Sequence, residues 1–206
     1  DPDAIFVARE ALMQTIAAAN VDGFAEIYNS IAESGPFRPD AESAGRRALR
    51  NTLLDYLSVG ADSAEQAASQ FAAATNMTDK SAALAILAHR FPNDERTAEA
   101  LAKFEAEFGS DPLVMDKWYQ IQATIPGSGA VERVKALMEH KGFALSNPNR
   151  VRALVGSFST LNQTGFHQEN GSGYRFFAET VLKIEKGNPQ LAARLATAMR
   201  SWRSLE

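Results

Sequence analysis

The chain has 206 residues, with 21 Lys and Arg against 25 Asp and Glu, a formal charge of −4, and no Cys. These values exclude disulfide frameworks, Cys-ligated zinc and thiol catalysis, and argue against a general nucleic-acid binder, which carries a basic excess. No apolar run approaches the roughly 18 to 20 residues of a membrane span, and the absence of Cys fits a reducing compartment, so a cytoplasmic location is expected.

The 36 Ala against 13 Gly point to helices, since Ala has the best intrinsic helix propensity. The first segment, Asp1-Pro2-Asp3-Ala4, has no Met and no signal pattern, and reads as the start of a piece of something longer. It also pairs an N-cap residue with Pro at the first helical position, and helices are predicted over 3–19 and 21–34. The stripe Ile5, Ala8, Leu12, Ile16 marks the first of them. Further starts are read at Asp40, Ser63 (with Gln66 as a capping box), Thr78 and Asn93, giving helices over 40–59, 63–75, 79–90 and 94–108. Asp111-Pro112, Ser128, Asn147-Pro148 and Asn188-Pro189 open the rest, over 112–125, 129–141, 148–159, 173–186 and 189–204. The polar segment 162–172, with glycines at 165 and 171, reads as a long loop with a short helix near Phe166-His167.

Every second start falls near residues 1, 40, 78, 111, 147 and 188, so helix pairs recur at intervals of 33 to 41 residues. A helix pair cannot bury both of its apolar faces alone, and stacking such pairs closes a continuous core. The expected fold is therefore all-α: a two-layered HEAT/armadillo-like superhelix of paired antiparallel helices, one solenoid domain over residues 1–206. An irregular elaboration of a four-helix bundle is the rival architecture.

Chemistry is scarce. The three His, at 89, 140 and 167, form no H-E-x-x-H, and His167-Gln168-Glu169 lacks the cysteines of a zinc deaminase. His89 and His140 lie near predicted helix ends, as dipole partners or packed polar residues. Glu105 and Glu107 stand two apart on a helix, on different faces, and make a poor acid/base pair. Met115, Trp118 and Tyr119 lie at helical spacing and read as core. Residues 141–206 carry a net +5 and the rest −9, so the last third either presents solvated faces or meets something negative. No catalytic residue, metal ligand or cofactor site is expected in this chain.

Five stretches carry a resemblance, in order: Asn76-Met77-Thr78-Asp79; Leu113-Val114-Met115-Asp116-Lys117-Trp118 with Gln122-Ala123; Ser146-Asn147-Pro148-Asn149-Arg150; Phe166-His167 through Gly171-Ser172-Gly173-Tyr174; and Asn188-Pro189-Gln190. Together they resemble the C-terminal helical domain of bacterial aminopeptidase N, a family of gluzincin zinc metallopeptidases, over essentially the whole chain. Asn170 departs from it, at a position where the family is expected to carry an acid.

The resemblance implies a fragment of a multidomain enzyme that removes N-terminal residues from peptides. Its zinc and H-E-x-x-H would lie in an upstream catalytic domain, which is then the partner of this chain. The fragment itself would be inactive, and would close the active-site cavity and limit access of peptide substrates. Partners among nucleic acids or membranes are not expected. A cationic side chain on such a wall would meet the peptide carboxylate; the cavity candidates are Arg150, Asn147 and Arg152, with Arg150 first, just past the helix start fixed by Asn147-Pro148-Asn149, and Arg152 pointing elsewhere on the helix. A salt bridge is the other reading of Arg150. His167, Asn170 and Tyr174 are candidates for a loop facing the catalytic domain, against a purely structural turn. For Asp116, capping or pairing within the array stands before substrate contact. The alternative from a different class is a free-standing helical-repeat adaptor that binds a protein or peptide in its groove.

Overall fold

A computed structural model describes residues 1–32 and 35–204. The described residues contain helices and turns and no strand, in agreement with the all-α reading. Leu205 and Glu206, and residues 33–34 at the end of the second predicted helix, lie outside them, as does the Trp202 side chain of the last predicted stripe.

By contact the chain divides into two compact units, one of Val7–Lys103 and one of Asp1–Phe6 with Phe104–Glu206. The elements of the first are α1 (Pro2–Ser30) from Val7 onward, α2 (Ala41–Ser58), α3 (Glu65–Ala73), α4 (Met77–Arg90) and the start of α5 (Glu95–Phe108). The break predicted near Asn20 is absent: α1 is one helix of 29 residues. Asn20 stays helical by donating its side-chain amide back to the Ile16 carbonyl at 2.8 Å, an option that satisfies a residue otherwise inclined to end helices. The Asp40 carboxylate caps α2 by accepting from the Ser43 amide at 2.9 Å. The start of α4 falls two residues before the predicted one, because Asn76 caps it, accepting from the Asp79 amide at 2.9 Å.

In this unit α2, α3 and α4 pack on one another, with Leu54, Leu84, Leu87 and Ala83 fully buried. Two polar devices tie its helices. Arg90 donates to Asp55 at 2.8 Å and also pairs with Glu10 of α1. Thr97, 2% exposed, donates to the Leu87 and Phe91 carbonyls at the C-terminal end of α4, each of which also accepts a backbone N–H, from Phe91 and Asp94.

The second unit holds the end of α5, α6 (Pro112–Ala123), α7 (Ala130–Met138), α8 (Pro148–Val151), α9 (Ser157–Leu161), α10 (Gln163–Phe166), α11 (Ser172–Glu185) and α12 (Pro189–Ala196). The single helix predicted over 148–159 is interrupted by a π-helical segment, Arg152–Gly156, in which the Ser157 amide donates five residues back to the Arg152 carbonyl. The last helix tightens into a 3₁₀ segment, Thr197–Ser204. Val151, Leu154, Val155 and Phe158, read from sequence as one stripe, are all completely buried. Phe158, Phe166, Phe176 and Phe177 form an aromatic core with edge-on ring contacts centred on Phe166 and Phe158, 5.4 to 5.8 Å between centroids.

Candidate functional site

Two Asx-Pro starts position the main polar cluster. The Asp111 carboxylate accepts from the Leu113 and Val114 amides, with Pro112 at the first helical position of α6. The Asn147 side chain accepts from the Asn149 and Arg150 amides at 3.0 and 3.3 Å, with Pro148 opening α8. These caps fix the backbones that carry Asp116 and Arg150.

Arg150 is 6% exposed. Its Nη1 donates to the Asp116 carboxylate at 2.6 Å and to the Pro112 carbonyl at 3.4 Å, and its Nε donates to the Gly142 carbonyl at 3.1 Å. The guanidinium also lies 4.8 Å from the centroid of the Tyr119 ring. Of the two readings of this arginine, the intradomain ion pair is formed, and Asp116 pairs within the array as its sequence context suggests.

The cluster continues on the far side of Tyr119, which is fully buried. Its hydroxyl lies 2.6 Å from His140 Nδ1, and His140 Nε2 lies 3.0 Å from the Glu105 carboxylate. The Gly142 amide also donates to His140 Nδ1, at 3.1 Å. A backbone N–H is always a donor, so Nδ1 is the acceptor nitrogen; Tyr119 then donates to it, and Nε2–H donates to Glu105. The result is one chain, Glu105–His140–Tyr119–Arg150–Asp116, running from an acid through an imidazole, a phenol and a cation to a second acid.

Burial pushes the Tyr119 hydroxyl up to about 12, with Glu105 and Asp116 acting in the same direction and Arg150 against it. Burial alone would raise the Glu105 carboxyl, but the His140 and Lys141 contacts outweigh it and hold Glu105 below its usual value. The Tyr119 proton is thus retained longer in the folded state than in the unfolded one. Its contribution to stability is complete below pH 10 and lost as pH rises toward about 12, at most on the order of 3 kcal/mol. Spectrophotometric tyrosine titration is expected to show the Tyr119 phenol ionising only with alkaline unfolding, and Tyr119→Phe to reduce the amplitude of that step by one phenol.

Arg152 points outward, donating to the Asn149 side chain. The remaining candidates gather elsewhere in the same unit. The Tyr174 hydroxyl and His167 Nδ1 are 2.6 Å apart, and both rings pack edge-on against Phe166. Desolvation lowers the His167 pKa and raises that of Tyr174. Asn170 is exposed, and its side chain accepts from the Ser172 amide at 2.8 Å, shaping the entry to α11 together with Gly171 at φ 69°.

The segment is built tightly. Asn162, 2% exposed, donates to the Ala123 and Ile125 carbonyls at 2.9 and 2.8 Å and accepts from the Gly165 amide. A Cβ on Gly173 would stand 2.2 Å from the Phe166 carbonyl oxygen.

Sequence reasoning missed Glu105 and His140 as a pair, because 35 residues separate them and nothing local links them. Both ring nitrogens of His140 are engaged by protein groups, and no three His, Asp or Glu among the described residues gather as metal ligands. The donor set present here does not fit a zinc site. Among the described residues no helix is long and apolar enough to cross a membrane.

Comparison with known proteins places these observations. The chain is 38% identical over 207 residues to aminopeptidase N of Caulobacter vibrioides, matching 98% of this chain and 24% of that protein. It is 39% identical over 198 residues to aminopeptidase N of Escherichia coli K12, matching 95% of this chain and 22% of the relative. Among solved structures it resembles the crystal structure of Legionella pneumophila aminopeptidase A in complex with aspartic acid, at a TM-score of 0.88 and 32% identity, over 98% of this chain and 25% of the other. The chain thus spans about a quarter of the length of these relatives. A family model described as "Domain of unknown function (DUF3458_C) ARM repeats" matches residues 1–206, in accord with the armadillo-like helical repeats expected from the spacing of helix starts. On its full-length match and on its identity to the C-terminal part of aminopeptidase N, the chain belongs to the DUF3458_C ARM-repeat family.

Proposed function

We propose that residues 1–206 act as the non-catalytic C-terminal domain of a cytoplasmic zinc aminopeptidase, packing on an upstream catalytic domain, closing its active-site cavity and limiting which peptides enter. The observation that carries this reading is identity of 38–39% along nearly the whole chain to two aminopeptidases N, each about four times as long. The zinc and its ligands are then assigned to the upstream domain, where the metal would activate water for amide hydrolysis. This chain's part is to exclude bulk water and folded substrates and to position the peptide leading away from the scissile bond.

Within that reading, the roles of the candidate residues divide by exposure. Arg150, held by Asp116, Gly142 and Pro112, is the positioning residue that fixes α8. Arg152, exposed on the turn that follows, is the cation available to a peptide carboxylate. The segment bearing His167, Asn170 and Tyr174, with Leu161 57% exposed beside it, is assigned to contact with the catalytic domain.

Two measurements test the proposal. Zinc content and aminopeptidase turnover, assayed on this chain beside the full-length enzyme, are expected only in the latter. In the full-length enzyme, Arg152→Ala is expected to lower kcat/KM on tri- and tetrapeptides about 10-fold, or about 1.4 kcal/mol, while leaving aminoacyl arylamides, which lack a carboxylate, unchanged. Equal losses on both substrate classes would remove Arg152 from the carboxylate role.

A further inference from the structure

A cavity of about 580 Å³ opens in the Val7–Lys103 unit between α1, α2 and α3, within the range of small-molecule sites. Its polar lining includes Tyr28, Arg50, Ser63, Glu65, Gln66 and Ser69. Arg50 and Glu65 are its charged residues among those described, one of each sign.

The floor is preorganised. The Tyr28 hydroxyl donates to Gln70 at 2.9 Å, Gln70 donates to Asn51 at 2.6 Å, and Asn51 donates to the buried Asp79 carboxylate at 3.0 Å. Asp79 also accepts from the Asn76 side-chain amide at 2.9 Å. This network gives the Asn76–Asp79 motif a structural role and fixes the Tyr28 ring. Arg50 lies 4.5 Å from the centroid of that ring and donates from Nη2 to the Tyr28 hydroxyl at 3.2 Å. No carboxylate pairs with it among the described residues, and its buried Nε finds no acceptor. A half-buried guanidinium without a counter-ion is costly unless a carboxylate or similar group neutralises it. The hydroxyls and amides around it add hydrogen-bonding capacity, and Glu65 supplies the complement for a cation.

We infer that this cavity binds a zwitterionic ligand, a free amino acid or short peptide, whose carboxylate pairs with Arg50 and whose ammonium group pairs with Glu65. The assignment rests on the charges and the cavity of this chain, and stands whatever the longer protein catalyses.

The test is titration of the chain with L-alanyl-L-alanine, N-acetyl-L-alanine and L-alaninamide, followed by ¹⁵N NMR. Saturable dipeptide binding is expected, with shifts centred on the amides of Arg50 and the first turns of α3. Removing either terminal charge of the ligand should weaken it at least 10-fold. Arg50→Gln should weaken the dipeptide at least 10-fold, and Glu65→Gln should weaken the dipeptide but not N-acetyl-L-alanine. Should Arg50→Gln disturb the fold, Ala73→Trp, at an exposed position lining the cavity, is expected to abolish binding while keeping Tm. Absence of saturation, equal affinity for L-alaninamide, or binding undiminished in a folded Arg50→Gln or Ala73→Trp chain would overturn the assignment.

Discussion

Arg150→Met is expected to destabilise the chain by about 3–5 kcal/mol, the range for breaking a buried ion pair from one side. The guanidinium neutralises Asp116, satisfies the carbonyls of Gly142 and Pro112, and packs over Tyr119. Met fills the volume but restores none of these bonds, and it leaves the partly buried Asp116 carboxylate without its counter-ion. For a domain of this size the corresponding fall in Tm is on the order of 10 °C. The double replacement Arg150→Met with Asp116→Leu should recover much of the loss, because it removes the orphaned charge as well. Thermal unfolding of the two variants separates a charge-pair effect from a packing effect. A double variant no more stable than the single one would show that the backbone carbonyls, and not Asp116, are what Arg150 serves.

Gly173→Ala is the second change with a large expected effect. The added methyl would stand 2.2 Å from the Phe166 carbonyl oxygen and 2.8 Å from its carbon. Both are backbone atoms of a segment held by three Asn162 hydrogen bonds, so neither side yields easily. A loss of about 3 kcal/mol is expected, the upper part of the usual overpacking range. Gly171→Ala is the internal comparison: its φ of 69° disfavours a side chain, but the nearest atom is the flexible Arg175 tip at 3.3 Å, and about 1 kcal/mol is expected. Denaturant unfolding of the pair distinguishes steric contact from backbone conformation. If Gly173→Ala proves no worse than Gly171→Ala, the close approach of α11 to Phe166 is not a constraint.

What the sequence made legible follows from how local each signal is. An Asx-Pro start declares itself within four residues, and those at Asp111, Asn147 and Asn188 all cap their helices in place. The stripe of Val151, Leu154, Val155 and Phe158 was readable for the same reason. Asn20 was misread because a side chain that ends helices in one setting bonds to the preceding turn in another. The Glu105–His140–Tyr119 chain was invisible, since its members lie on separate elements and meet only through packing. Arg150 was identified as a residue of consequence, yet the choice between ion pair and cavity wall needed the position of Asp116, 34 residues away.

The wide turn at Arg152–Gly156 has a consequence for how this helix tolerates change in length. An α-helix turns 100° per residue, so adding one residue normally swings everything beyond it onto a new side. Here the surplus is swallowed in a single loose coil, and Val151 before it and Phe158 after it both stay in the core. Shortening the chain by one position within the coil would tighten it to an ordinary α-turn, but it would also unseat Leu154 or Val155, which fill the interior from the coil itself. The slack is therefore not spare length: a deletion here is expected to cost as much as emptying a core position, whereas the exposed Arg152 that opens the coil can be exchanged without touching the packing.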